Sequence, residues 1–202
     1  MPYTEILDFW FGNLTNGFAN EAHRTTWFAR SDDFDESIRT RFAPCLETAA
    51  TGGLTEWLET SQGRLAYIIA TDQFPRNLYR DSPTAFATDH LALTAAKAGI
   101  HMGADQHLAL DERSFFYLPF EHCERLEEQH TCVGLFMQLR DQTPAGQRHI
   151  TGSSLRFAQQ HRDVIQTFGR FPHRNRALNR VSTPAELSYL AAGGGFSQKV
   201  EK

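Results

Sequence analysis

The chain has 202 residues, of which 41% are hydrophobic and 22% charged, and a formal net charge of −4. That length predicts one domain, burying roughly 70% of the surface of its unfolded form. The acidic balance argues against whole-surface binding of nucleic acid, and no window reaches the ~18 continuous apolar residues of a membrane span.

The opening MPYTEILDFW lacks the basic and apolar run of a signal peptide, so a cytoplasmic location is expected. Cys45, Cys123 and Cys132 have no CxxC spacing and read as reduced thiols packed as small apolar groups. Strand signals are scarce, while Ala, Leu, Arg, Gln and Glu dominate, which suits helices.

In chain order, Thr4 is expected to cap a short buried helix through Phe11, ended by Gly12. A short segment follows around Trp27 and Phe28. Asp32 or Asp33 is expected to cap the next helix, with Phe34, Ile38, Phe42 and Leu46 on one stripe and Pro44 bending or interrupting it. Gly52-Gly53 ends that element, and a helical turn near Trp57 precedes Gly63. RLAYIIATDQF (64–74) reads as a buried helix stopped by Pro75. Ser82-Pro83 restarts a helix to Lys97, ending at Gly99. Three segments follow, about 111–118, 119–130 and 131–140. Ser153 or Ser154 caps a helix to Phe168, closed by Gly169. Thr183-Pro184-Ala185-Glu186 carries a capping box. The expected domain is 1–192, with 193–202 a flexible tail.

Two stretches echo each other, DQFPRN (72–77) and GRFPHRN (169–175). Each follows an apolar helix and leads to a further arginine, Arg80 or Arg180, and then to Ser/Thr-Pro. The pattern resembles helix-turn-helix repeats of about 34 residues. The fold class predicted is all-α, a helical array of about eight to ten helices.

TDQFPRNLYR (71–80), ERSFFYLPFEHCE (112–124) and FGRFPHRNRALNR (168–180) together resemble the bacterial domain-of-unknown-function family 924. That resemblance implies a tetratricopeptide-like helical fold and no established activity. Two positions depart from the family pattern. Cys123 stands where serine is usual, and Asn179 stands where glycine is usual. Asparagine tolerates the left-handed backbone that glycine suggests there.

Arg156 to Arg180 holds six arginines with Asp163 the only acid, and Asp105 to Glu128 holds seven acids against Arg113 and Arg125. Either the two stretches neutralise each other, or the basic one binds an anion. In the second reading Arg76, Asn77, Arg80, Arg170, His173, Arg174 and Asn175 form a ligand site. Arginine is suited to bidentate carboxylate or phosphate recognition, and asparagine both donates and accepts. The ligand would be an anionic small molecule or a peptide end. In the first reading the same residues satisfy helix-end carbonyls, with Arg76 and Arg174 pairing to Asp72 or Glu112.

A hydrolase or transferase is the rival, with His122 or His173 as base beside Glu121 or Glu124. His161 is a further candidate for the same pocket. Glu127 and His130 make one Glu-x-x-His pair, too few ligands for a di-metal site, so no metal and no cofactor are expected. There is no phosphate-binding glycine loop and no nucleophile elbow. A purely structural or assembly domain is the third reading.

Overall fold

The computed structural model describes residues 1–196 and the backbone of 199–200. Ten α-helices carry the fold: α1 (Thr4–Phe11), α2 (Glu21–Phe28), α3 (Asp32–Ala50), α4 (Ser61–Ile68), α5 (Phe74–Leu78), α6 (Asp89–His101), α7 (Leu110–Glu121), α8 (Leu126–Gln142), α9 (Arg148–Phe168) and α10 (Pro184–Ala191). Among the described residues the only strands are β1 (Ala29–Arg30) and β2 (Lys199–Val200), paired in parallel. No helix of the described residues is long and apolar enough to cross a membrane. The tail expected over 193–202 falls partly on 197–198 and 201–202, which lie outside the described residues.

The core is aromatic. Trp10 lies against Phe34, Phe74 and Phe115, and Trp27 packs on Phe11 and Phe115. Ile38, Phe42 and Leu46 face this core from α3 as the stripe predicts. The α7, α8 and α9 rods extend the bundle, and a small second cluster of Val164, Ile165 and Phe171 sits under α10.

Several boundaries differ from expectation, mostly at prolines. Ser31, rather than Asp32 or Asp33, caps α3 by accepting from the Phe34 amide, and Tyr3 rather than Thr4 occupies the cap position of α1. Pro44 lies inside an unbroken α3; it and Thr40, whose carbonyl loses its α-helical donor there, are both exposed, so that carbonyl is not sealed in the core. Pro119 likewise lies inside α7, and the break comes later, at 122–125. There the Gln129 side-chain amide donates to the carbonyls of Phe120, Glu121 and Cys123 and so closes the end of α7. α9 begins at Arg148, a turn before Ser153.

Gly99 is no helix stop but lies within α6. A Cβ there would collide with Phe116 and Arg64, so glycine lets α6 approach α4 and α7 closely. Two other signals hold as read. The Thr183–Glu186 capping box is formed in both directions, and Asn179 takes a left-handed φ of 54°.

Pro75 does not stop its helix either. α4 runs into a π-helical turn, Ile69–Gln73, which runs into α5. An α-register would give the Thr71 carbonyl to the amide of residue 75, and proline has none. The freed Thr71 carbonyl instead accepts from Thr88 Oγ1 at 2.6 Å, and the Asp72 carbonyl accepts from Arg76 Nη1. The second echo copy has another geometry. α9 ends at Gly169, with φ 70°, and Pro172–Arg174 form a single 3₁₀ turn.

Candidate functional site

The wide turn places a charge in the core. Asp72 has no exposed surface. Its carboxylate faces His122 Nδ1 at 2.8 and 2.9 Å, accepts from Gln73 Nε2 at 2.6 Å, and lies 3.3 Å from Arg76 Nη1. Burial opposes its ionisation, but the Arg76 charge and the His122 contact outweigh that and hold the carboxyl well below the usual range.

Arg76 also donates to both oxygens of Asp89 at the start of α6, at 2.9 and 3.0 Å. Arg174 reaches the same carboxylate, with Nη1 3.7 Å from Asp89 Oδ2. The two Phe-Pro stretches therefore meet in space, joined through Asp89.

Arg174 is short of partners. It is sandwiched between the rings of Phe86 and Phe171, its guanidinium carbon 4.8 and 4.5 Å from the centroids, and its buried Nε has no partner among the described residues. Burial and the nearby Arg76 push its basicity down to about 10, which marks an incompletely compensated cation. His173 Nδ1 is also buried without a partner among the described residues. Such orphans are rare in native interiors and call for an explanation.

The break after α7 delivers the other groups. An ionised Asp72 can only accept, so a neutral His122 carries its proton on Nδ1 and keeps the Nε2 lone pair. Nε2 makes no hydrogen bond to the described residues, and the side chain is 15% exposed. Burial and the Arg76 charge depress the basicity of His122, against the upward pull of Asp72, so the neutral form prevails near pH 7. Glu121, one residue earlier, is pushed up to about 8 by burial and by the Asp72 charge, so it is a neutral acid. His161 Nδ1 lies 3.5 Å from Glu121 Oε1. Burial first, then neighbouring cations including Arg174, hold His161 and His173 down at about 3.

Of the residues singled out in the sequence, Arg76, Arg174, His173 and His122 converge here. Glu121 and His161 join them, while Asn77, Arg80, Arg170, Asn175 and Glu124 are engaged in bracing. Asn77 Nδ2 and the Arg80 fork bind Asp35 of α3 at 2.7 to 2.8 Å. Arg170 grips Glu186, the capping acid of α10, at 2.6 and 2.8 Å. Glu124 accepts from Arg180 at 2.6 and 2.9 Å and from the Phe171 amide at 2.8 Å; Arg180 Nε in turn donates to Asn175 Oδ1. Glu112 pairs with neither arginine but accepts from the Ala109 amide at its own helix start. Asp89 and Phe86 went unremarked in the sequence; of the acids offered there as partners, Asp72 does lie 3.3 Å from Arg76.

The cluster thus brings together one neutral acid, Glu121, one neutral base on a buried carboxylate, His122, and one under-paired cation, Arg174.

No curated protein matches the chain. The structure of a protein of unknown function from Agrobacterium tumefaciens, ATU0120, is similar to it at 37% identity and a TM-score of 0.80, with 95% of this chain and 97% of that one covered. The family model described as a bacterial protein of unknown function, DUF924, matches residues 6–194. Those matches, together with an all-α fold that places its longest family-like strings around one buried cluster, show that the chain belongs to the DUF924 family.

Proposed function

We propose that the protein is an acid–base enzyme for a small anionic molecule. Arg174 holds a carboxylate or phosphate, and His122, oriented by Asp72, moves the proton. The observation that carries this reading is the 2.8 Å contact between His122 Nδ1 and a fully buried carboxylate. Pairing a histidine with a buried acid fixes its tautomer and aims the other nitrogen outward. Buried ion clusters are poor devices for stability alone, which favours a functional origin for this one.

The orphaned atoms of Arg174 and His173 also suit a second reading, a binding module without chemistry. Both readings share the anion.

The test is a histidine NMR titration with inorganic phosphate at fixed ionic strength. Phosphate is expected to shift the His122 ring signals and raise its pKa in the wild type. Arg174→Gln should lose both effects. If Arg174→Gln responds like the wild type, or His122 ignores phosphate, the reading falls. A turnover screen over phosphate and carboxylate esters then separates enzyme from binder, since His122→Gln should abolish turnover and keep phosphate binding.

A further inference from the structure

The Phe196 ring lies flat on the His161 imidazole, with centroids 3.5 Å apart and planes 14° from parallel. It also meets Phe171 and His173 edge-on, at 6.1 and 5.7 Å. The three receiving side chains are fixed by the fold. His161 shares a 2.9 Å hydrogen bond with the Phe157 carbonyl, and Phe171 is fully buried with its amide on Glu124. His161 and His173 stand 5.5 and 5.6 Å from the Phe171 ring.

The occupant is held differently. Phe196 is half-buried and follows three consecutive glycines, two of them at φ 83° and 123°. Two hydrogen bonds tie this strap to Tyr189: the Gly194 amide donates to its carbonyl at 3.0 Å, and the Gly195 amide to its hydroxyl at 3.1 Å. Gly195 passes so close to His173 that a Cβ there would lie 3.2 Å from it. A phenyl ring offers no hydrogen bond, and among the described residues two nearby polar atoms have no partner: Nδ1 of His173, which Phe196 meets edge-on, and Nε of Arg174, whose guanidinium lies over the Phe171 ring that Phe196 also meets. An unmade buried hydrogen bond is costly, so the cage is only half satisfied by its present occupant.

We propose that Phe196 sits where the planar ring of a ligand belongs, and that this ligand is a small aromatic anion. Its ring would stack on His161 between Phe171 and His173, and its carboxylate or phosphate would meet Arg174. This inference rests on the anion site proposed above and adds the class of molecule. At 3.5 Å between centroids Phe196 lies almost directly over the imidazole, whereas a ligand ring free of the strap could take the preferred offset stack there and keep both edge-on neighbours. The imidazoles and Arg174 make the cage a poor seat for a cation. The phenylalanine then acts as a built-in competitor, displaced from its seat when the ligand binds.

The experiment is calorimetric titration of the full chain and of Phe196→Ala with four probes at one pH and ionic strength: inorganic phosphate, acetate, phenyl phosphate and benzoate. Inorganic phosphate and acetate should bind both proteins equally. Phenyl phosphate and benzoate should bind Phe196→Ala at least tenfold more tightly than the wild type. Binding of the simple anions with no aromatic advantage in Phe196→Ala overturns the aromatic seat and leaves the anion site standing. Failure of all four probes to bind either protein overturns both. Should Phe196→Ala lose its fold by circular dichroism, Phe196→Leu, which keeps apolar bulk but cannot stack, is expected to give the same order of affinities.

Discussion

The Thr88 hydroxyl donates to the Thr71 main-chain carbonyl across 2.6 Å, and both residues are buried. Thr88 precedes α6, and Thr71 lies in the π-helical turn that carries Asp72. One hydroxyl thus takes up a carbonyl that the proline at 75 cannot serve, and it ties the site's acid to the helix that supplies Asp89.

Thr88→Val is therefore expected to destabilise the protein by about 1–3 kcal/mol, the cost of leaving a buried carbonyl unmet. Thr88→Ser should recover most of it. Urea denaturation of the three proteins reads the difference, and equal stabilities of valine and threonine would refute the role.

Asp72→Asn removes the upward pull on His122 while Arg76 remains, so the His122 pKa should fall further. The same change removes a negative charge near Glu121, whose pKa should fall towards the ordinary value. Stability should drop by about 3 kcal/mol, because Arg76 loses a buried partner. Site-resolved NMR titration checks the two pKa directions, and urea denaturation the loss of stability.

Glu121 is protonated in the folded protein up to about pH 8, whereas an unfolded glutamate ionises near 4.5. A folded pKa raised in this way contributes stability at low pH that is lost as pH rises from the unfolded value through 8. The wild type should weaken over that window relative to Glu121→Gln, by at most about 5 kcal/mol. Denaturant midpoints at pH 5 and pH 8.5 measure it, and parallel curves would refute it.

His161 and His173 titrate the other way. Their folded values of about 3 lie below the unfolded 6.5, so their contribution is present above pH 6.5 and is lost as pH falls towards 3. The double variant His161→Gln/His173→Gln should start less stable at pH 7 and lose less on acidification. A wild type with no extra acid sensitivity between pH 6.5 and 3 would contradict the burial of these rings.

Asp35→Ala leaves Arg80 and Asn77 facing no acid in a largely buried setting. The expected loss is about 3 kcal/mol of stability. Phosphate binding at Arg174 should not change, because Asp35, Asn77 and Arg80 hold α5 to α3 rather than lining the site. A fall in phosphate affinity with unchanged stability would reverse that assignment.

Much of the fold is legible in local chemistry. The α3 stripe, the Gly169 stop, the Thr183–Glu186 box and the left-handed Asn179 all follow from rules acting within a few residues. The prolines misled because their effect depends on who else serves the orphaned carbonyl. At Pro44 the carbonyl belongs to an exposed residue, and at Pro75 it is served by Thr88, seventeen residues from Thr71. The repeated arginine–asparagine pairs share a spelling but have different tasks. Arg76 and Arg174 meet at Asp89, while Asn77 and Asn175 are taken up by Asp35 and by the pair of Arg180 and Ser182. Asp89 could not be seen as their common partner, since the sequence pattern puts it inside a helix running on from Pro83, whereas Pro83–Phe86 form a separate 3₁₀ turn and α6 starts at Asp89.

The bridge from Arg76 through Asp89 to Arg174 also sets an order in time. A ribosome extends the chain by about 5–20 residues each second, so Arg174 emerges on the order of ten seconds after Asp89. Until then the nascent bundle holds Asp72, Arg76 and Asp89 without the guanidinium that lies between Phe86 and Phe171. The cluster is completed only after α9 has been made, so no amino-terminal fragment ending before Arg174 carries the assembled site.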